Sequence, residues 1–242
     1  MFPMKSSQLF FPFLSYVTGA AIGLFLILTV TWADMEAASY GFSRLADSGL
    51  GGFNCPAWMT REETSRIALT ISNPTDGPIR PAVRTMISTP LAYNESVEYV
   101  QLAPGESKKL EWEVGPENID LKHFILAKAV VYAAYPLPSR ETTCGIYILD
   151  LPGRGRVILP ALIGLSLLGL GGGLYGIRKW GRLKGWLAKN NRSLTFLAVL
   201  VGLGLVVSLM SGWLPGVIVL VLVLLVITIQ AGSYSMSEQG RG

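Results

Sequence analysis

The sequence predicts a membrane α-helical protein with four transmembrane helices and an all-β antiparallel sandwich as an ectodomain between the first two. Hydrophobic residues make up 50% of the 242 residues and charged residues only 15%, which is too apolar for an ordinary soluble domain. A polar stretch framed by Cys55 and Cys144 interrupts the apolar segments, and apolar and polar residues alternate along it with a period of two. The chain is therefore divided between two solvents.

Four segments have the apolar length that a helix needs to cross a hydrocarbon core of about 30 Å, and none contains a formal charge. They are Phe10 to Trp32, Val157 to Ile177, Leu194 to Met210 and Leu214 to Ile229. The first could instead be a cleaved signal peptide. We expect it to be retained, because its apolar run exceeds the usual length and Thr31 to Asp34 is a poor cleavage site.

These segments divide the chain into seven parts. We predict the N-terminus with the first helix (1–33), a linker (34–54), the β-sandwich (55–155), the second helix (156–177), a basic cytoplasmic loop (178–193), a hairpin of the third and fourth helices (194–231) and a cytoplasmic tail (232–242).

Charge predicts the orientation. The net charge of +4 is uneven: residues 34–156 hold twelve Lys and Arg and fifteen Asp and Glu, a net charge of −3. The loop after the second helix has six bases and no acid: Arg178, Lys179, Arg182, Lys184, Lys189 and Arg192. Because cytoplasmic loops are rich in Lys and Arg, we expect both termini inside, the module outside, and a location in the cytoplasmic (plasma) membrane. The basic pI then reflects topology, and we expect no nucleic-acid partner.

Tryptophans and glycines suggest how the helices meet lipid and one another. Four tryptophans fall at predicted helix ends, where we interpret them as membrane-interface anchors: Trp32, Trp180, Trp186 and Trp213. GxxxG spacing predicts close helix packing through Gly19 and Gly23 in the first helix, and through Gly169, Gly172, Gly173 and Gly176 in the second. The neighbour of the second helix is either the first helix or a helix of another chain.

Period-two alternation predicts half-buried strands in the module. In Ser107 to Val114, the residues Leu110, Trp112 and Val114 share one face. Further strands are predicted at Arg66 to Ser72, Ile79 to Ser88, Val97 to Leu102, Lys122 to Tyr132 and Thr143 to Leu149, separated by turn clusters rich in Pro and Gly.

The turn motifs carry a resemblance. Asn73-Pro74-Thr75-Asp76 after one strand, and Leu102-Ala103-Pro104-Gly105-Glu106-Ser107 leading into Leu110-Glu111-Trp112, resemble the Ig-like or fibronectin-like modules of bacterial surface proteins. The similarity covers about Cys55 to Asp150. It implies a β-sandwich that binds other proteins or acts as a spacer, and it does not choose between these roles.

Cys55 and Cys144 are predicted to form a disulfide, because two cysteines that lie on the oxidising side of a membrane usually become bonded to each other. A redox-active pair is the weaker alternative, since the two are far apart and lack a CxxC context.

No catalytic, cofactor or metal signature is recognisable. His123 is the one histidine and is interpreted as a packing or surface residue, so neither haem ligation within the helices nor a zinc set of Cys and His is predicted. The four apolar segments hold no ionisable residue of the kind that marks a transport pathway. Asn94-Glu95-Ser96 matches a glycosylation acceptor, which matters only in a host that glycosylates exported proteins.

These patterns predict a noncatalytic accessory or scaffolding subunit of a larger envelope membrane complex. Its partners would be the lipid bilayer and other membrane protein subunits, with no small-molecule substrate. Two alternatives stay open: an autonomous surface receptor or adhesion protein that binds an external ligand through the sandwich, and a subunit of a transporter or membrane enzyme whose active residues lie in other chains.

Overall fold

A computed structural model describes residues 7–42, 45–46, 48–180, 191–210 and 213–239. The chain divides into two compact units, one of residues 1–31 with 159–242 and the other of residues 32–158. The described residues of the first unit are helical, and the second unit holds a β-sheet domain.

Among the described residues there are four long helices: α1 (Ser7–Ser39), α2 (Gly155–Trp180), α3 (Asn191–Met210) and α4 (Trp213–Gln239). Within the described residues, α1, α2 and α3 are long and apolar enough to cross a membrane. The prediction of a fourth span is not supported: the apolar part of α4, Trp213–Ile229, is shorter than the other three. At about 1.5 Å per residue, its length falls short of a hydrocarbon core of about 30 Å.

The second unit contains nine strands and one 3₁₀ turn (Pro116–Asn118) among the described residues. The strands are β1 (Ser48–Gly49), β2 (Phe53–Asn54), β3 (Trp58–Thr60), β4 (Ser65–Ser72), β5 (Ala82–Thr89), β6 (Ala92–Tyr99), β7 (Ser107–Val114), β8 (Phe124–Val131) and β9 (Arg140–Leu149). β7 has the predicted bounds. β6 begins before the predicted Val97. The prediction missed its first residues because they carry little hydrophobic pattern.

The strands form two sheets. The larger has the order β1-β9-β8-β5-β6, with β3 also paired to β9, and the smaller has the order β2-β4-β7. Most pairs are antiparallel, but β1 and β3 both run parallel to β9, which departs from the purely antiparallel prediction.

The apolar core of the domain contains residues of both sheets. One cluster joins Ile67 of β4 and Val114 of β7 to Ile125 and Ile146 of the larger sheet, all fully buried. A second cluster continues along the strands and includes Leu69 of β4. Alternate residues of β4 and β7 therefore face the larger sheet, as their period-two pattern predicts.

The opposite face of the larger sheet is covered by the C-terminal turns of α1. Ala33 and Ala37 are buried against Phe124 and Leu126 of β8. β8 is accordingly apolar on both faces. α1 continues through residues predicted to be linker, so that part of the linker (34–54) is helical up to Ser39.

Candidate functional site

The disulfide connects the two sheets of the domain. Cys55 directly follows β2 of the smaller sheet, Cys144 lies within β9 of the larger sheet, and the two are bonded with their Cα atoms 6.5 Å apart. Cys144 belongs to the core cluster around Ile67 and Ile146, and Cys55 packs against that cluster. The bond closes a chain segment with a sequence separation of 89.

Asp34 fills a gap in the edge of β9. β1 pairs with the start of β9 and β3 with its end, so neither short strand reaches the backbone of Gly145. The Gly145 N–H instead donates to the Asp34 carboxylate at 3.1 Å. A Cβ atom at position 145 would collide with the Ala33 carbonyl, so glycine is needed for this close approach of α1.

A buried ion pair lies further along the same face. Lys128 Nζ is 3.0 Å from the Glu141 carboxylate, and the two side chains are 4% and 18% exposed. Burial alone would raise the pKa of Glu141, but the Leu45 and Ala46 N–H groups and the Lys128 ammonium outweigh it and lower that pKa. The pair ties the segment before β1 to the sheet. Sequence reasoning missed it, although a lysine inside the apolar run Phe124–Val131 was a visible signal.

A second polar cluster surrounds Asp120. Its carboxylate accepts hydrogen bonds from the Tyr40 hydroxyl and the Leu121 N–H, and burial together with this carboxylate raises the pKa of Tyr40. Leu121 and Lys122 both have positive φ, of 48° and 71°, and Leu91 has φ of 67°. These backbone conformations are uncommon for bulky residues, and the carboxylate helps to fix the turn.

β6 is an open edge strand. It pairs with β5 on one side, and all eight of its residues are exposed. The Val100 N–H donates to the Pro81 carbonyl, and this hydrogen bond continues the register in which β5 and β6 pair. Every second residue back along β6, at positions 98, 96 and 94, therefore directs its backbone N–H and C=O groups to β5. The alternate residues Tyr93, Glu95, Val97 and Tyr99 therefore direct their N–H and C=O groups away from the sheet. None of those backbone groups bonds to another backbone group in the described part of the chain.

The side chains of β6 leave this edge accessible. Glu95 pairs with Arg84 of β5 at 2.5 Å, and Glu98 accepts from the Trp112 indole at 2.9 Å. Both carboxylates are therefore bound to residues of the same domain. Val97 and Tyr99 remain 47% and 68% exposed. Asn94, the glycosylation acceptor of the sequence pattern, also lies on this strand.

Most of the predicted packing glycines meet other helices of the same unit. An added Cβ at Gly19 would lie 2.6 Å from the Leu170 nitrogen, and at Gly169 it would lie 2.8 Å from the Gly19 Cα. Gly173 and Gly176 face Tyr16 and Pro12 of α1, and Gly23 faces Ser166 of α2.

Gly172 is the exception among these glycines. Nothing lies within 4 Å of its Cβ position, because it points away from the face that α2 turns to α1. Its assignment as a helix-packing residue stays a prediction, since no described residue of the same chain packs on this position. Two hydrogen bonds support the α1–α2 contact: Ser166 Oγ donates to the Gly19 carbonyl at 2.8 Å, and Ser15 Oγ donates to the Gly169 carbonyl at 3.3 Å.

The predicted anchors and bases are only partly within the described residues. Trp32 is 44% exposed, and Trp213 begins α4 and is 37% exposed. Trp180 ends α2, and Arg178 and Lys179 occupy its last turn. Arg178 donates to the Thr195 hydroxyl of α3 at 2.9 Å, and Arg192 is in the first turn of α3. Trp186, Arg182, Lys184 and Lys189 lie outside the described residues.

His123 stacks on Tyr147 with ring centroids 6.3 Å apart, and its Nδ1 lies 3.9 Å from Asp150. Arg61 binds the same carboxylate at 2.5 Å and is the largest cause of the lowered pKa of Asp150. No group of three or more metal-ligating side chains occurs among the residues that the structure describes.

No family model and no curated protein matches this chain. Among solved structures, the chain is similar to a β-glucosidase from Erythrobacter marinus with 19% identity and a TM-score of 0.30, over 46% of this chain and 18% of that one. It is also similar to the CARDB domain of a Pyrococcus furiosus protein in complex with di-metal ions, with 13% identity and a TM-score of 0.32, over 45% and 98%.

A β-glucosidase from Listeria innocua in complex with isofagomine matches at 14% identity and a TM-score of 0.29, over 40% of this chain and 15% of that one. The match covers less than a fifth of either glucosidase. Similarities at this level bring neither activity nor substrate to this chain.

Proposed function

We propose that the protein is a noncatalytic, integral membrane accessory or scaffolding subunit of a larger envelope membrane complex. The open edge of β6 is the observation that carries this proposal. Unpaired N–H and C=O groups on a long edge strand are a template for an added strand. The four outward-facing residues of β6 each have one N–H and one C=O group, so they offer a partner strand up to about eight main-chain hydrogen bonds.

We also propose the type of the β-sheet domain, the number of membrane spans and the orientation of the chain. The β-sheet domain is an Ig-like sandwich, which is supported by two sheets with a shared core and by the disulfide between them. The α4 helix is a fourth, shorter span, and a thinner local bilayer would accommodate it. Both termini lie in the cytoplasm and the sandwich lies outside.

Partner binding is assigned to the sandwich rather than to the glycine faces. Gly19, Gly169 and Gly173 already contact helices of their own chain. A second chain would have to displace those contacts before it could use the same groove. β6 needs no such displacement, since its outward groups are unpaired within the described residues.

The partner test uses proline on the edge. Val97→Pro removes an N–H that faces away from β5, so the β5–β6 ladder is retained while one hydrogen bond to an added strand is lost. Val97→Thr is the matched control, because it keeps both the N–H and the β-branched shape. After purification from the native host in mild detergent, we expect the proline variant to lose its copurifying subunits and the threonine variant to retain them.

Equal recovery of the same subunits with both variants contradicts the edge as the binding surface. A wild-type protein that is monodisperse and free of partners favours the autonomous receptor instead.

The topology is tested separately. A reporter that is active only in the cytoplasm should be active when fused after Lys184 and silent when fused after Gly105, because the bases between the second and third helices predict a cytoplasmic loop. The reverse result would place the sandwich inside and remove the extracytoplasmic role.

A further inference from the structure

A pocket of about 380 Å³ opens at the end of the domain where β4 and β8 finish and β5 and β9 begin. Its apolar lining includes Ile71, Ile79 and Leu102, which belong to one buried core cluster, and Leu137, which packs against that cluster. The volume lies in the range of about 300–1,000 Å³ that is usual for small-molecule sites. The pocket therefore reaches the buried apolar core at this end of the domain.

The walls of the pocket are held by backbone hydrogen bonds. On one side, Gly52 has φ of 82°, and its carbonyl accepts from the Thr70 N–H at 3.0 Å. A Cβ at Gly52 would lie 2.7 Å from the Thr70 carbonyl, so this wall requires glycine. On the other side, Leu137 N–H donates to the Ala134 carbonyl at 2.8 Å. The cavity is preformed, which reduces the ordering cost of binding a ligand.

One cationic residue lines this apolar space. Among the described residues of the lining, Arg140 is the one that carries a formal charge, and it makes no ion pair with another described residue. Its backbone is fixed in β9 by pairing with Val131. Tyr132 also lines the pocket, and its hydroxyl is 3.1 Å from Arg84 Nη1, so that hydroxyl is already engaged.

We propose that this pocket binds a small monocarboxylate with an aromatic or branched apolar body. The apolar lining would hold the body, and the guanidinium of Arg140 would bind the carboxylate, whose planar oxygens match its donor fork. A single guanidinium suits one negative charge better than a dianion. This binding is independent of the scaffold role, because β6 does not line the pocket.

The test is photolabelling of the full chain in lipid nanodiscs with 4-benzoylbenzoate, read out by mass spectrometry of the labelled peptides. We expect saturable labelling of peptides that contain residues 70–79 or 131–140. The neutral analogue 4-benzoylbenzyl alcohol should need at least about a tenfold higher concentration for half-saturation, as expected from the loss of a charge-assisted contact. Arg140→Gln should cause the same loss for the carboxylate and leave the alcohol unaffected.

A matched glycine pair tests the location. Gly51 lines the pocket and Gly49 does not, and neither has an atom within 4 Å of its Cβ position. Gly51→Trp should abolish saturable labelling, and Gly49→Trp should leave it unchanged. Equal labelling by acid and alcohol in the wild type, or labelling that survives Gly51→Trp, overturns the proposal. The comparison of acid with alcohol uses the unaltered protein, so it stands even if a variant does not fold.

Discussion

Removing the disulfide should strongly destabilise the β-sheet domain. The perturbation is the double variant Cys55→Ala with Cys144→Ala, which leaves no free thiol. Alanine is preferred to serine, because Cys144 belongs to the apolar core, Cys55 packs against it, and a buried hydroxyl would add its own cost.

The magnitude follows from the loop that the bond closes. A sequence separation of 89 corresponds, in the chain-entropy description, to about 15 cal/mol/K, or about 4–5 kcal/mol at 25 °C. A domain of ordinary stability has about 5–15 kcal/mol in total, so this loss is a large fraction. With an m-value of about 2 kcal/mol/M in urea, the unfolding midpoint should fall by about 2 M.

The assay is pulse proteolysis of the full chain in nanodiscs across a urea series, with the β-sheet domain followed by fragment mass. Wild-type protein treated with a reductant is the control, and its midpoint should fall by a similar amount, since the same loop is opened. A shift below about 0.5 M in both samples would refute the argument that this bond restricts the unfolded chain.

Three further outcomes are expected. Gly173→Leu should lower the stability of the helical unit by about 1–3 kcal/mol in a detergent titration, because its Cβ would lie 2.6 Å from Tyr16, whereas Gly172→Leu should have no effect; equal midpoints contradict the packing. Folding lowers the pKa of Glu141, so the contribution of this residue to stability is present above about pH 4.5 and is lost as the pH falls through the folded-state pKa. The unfolding free energies of the wild type and of Glu141→Gln should therefore converge in acid. A difference that stays constant with pH would contradict this. Asp34→Ala should speed hydrogen exchange in the middle of β9 and cost about 1–3 kcal/mol, and Asp34→Asn should largely restore protection if the carboxylate acts as a hydrogen-bond acceptor.

The parts of the fold that sequence patterns predicted are those with strong periodicity. Apolar length located the helices, and the alternation in Ser107–Val114 located β7, because one face of that strand is buried and the other exposed. The expectation that both cysteines lie on the oxidising side predicted the disulfide without any knowledge of strand pairing.

The features that escaped prediction have weak or ambiguous local signals. α1 was predicted to end before Asp34, but it continues to Ser39. Alanine is a strong helix former, and the contact of Ala33 and Ala37 with β8 stabilises these additional turns. β6 is exposed on both faces, so it has no hydrophobic alternation to detect. The pairing of β1 and β3 with β9 depends on residues far apart in the chain, which no local pattern reports.

The position of β9 sets the order in which this domain can be completed during synthesis. β9 pairs with β8, β3 and β1, and among the described strands it is the last to be synthesised. At about 5–20 residues per second, the roughly one hundred residues from β1 to the end of β9 take about 5–20 s. Throughout that interval β1 and β3 lack their sheet partner, and Cys55 waits for a cysteine that has not yet been made. Completion of the larger sheet and of the disulfide therefore waits for β9, and chaperones or oxidoreductases that act on the nascent chain have this interval in which to do so.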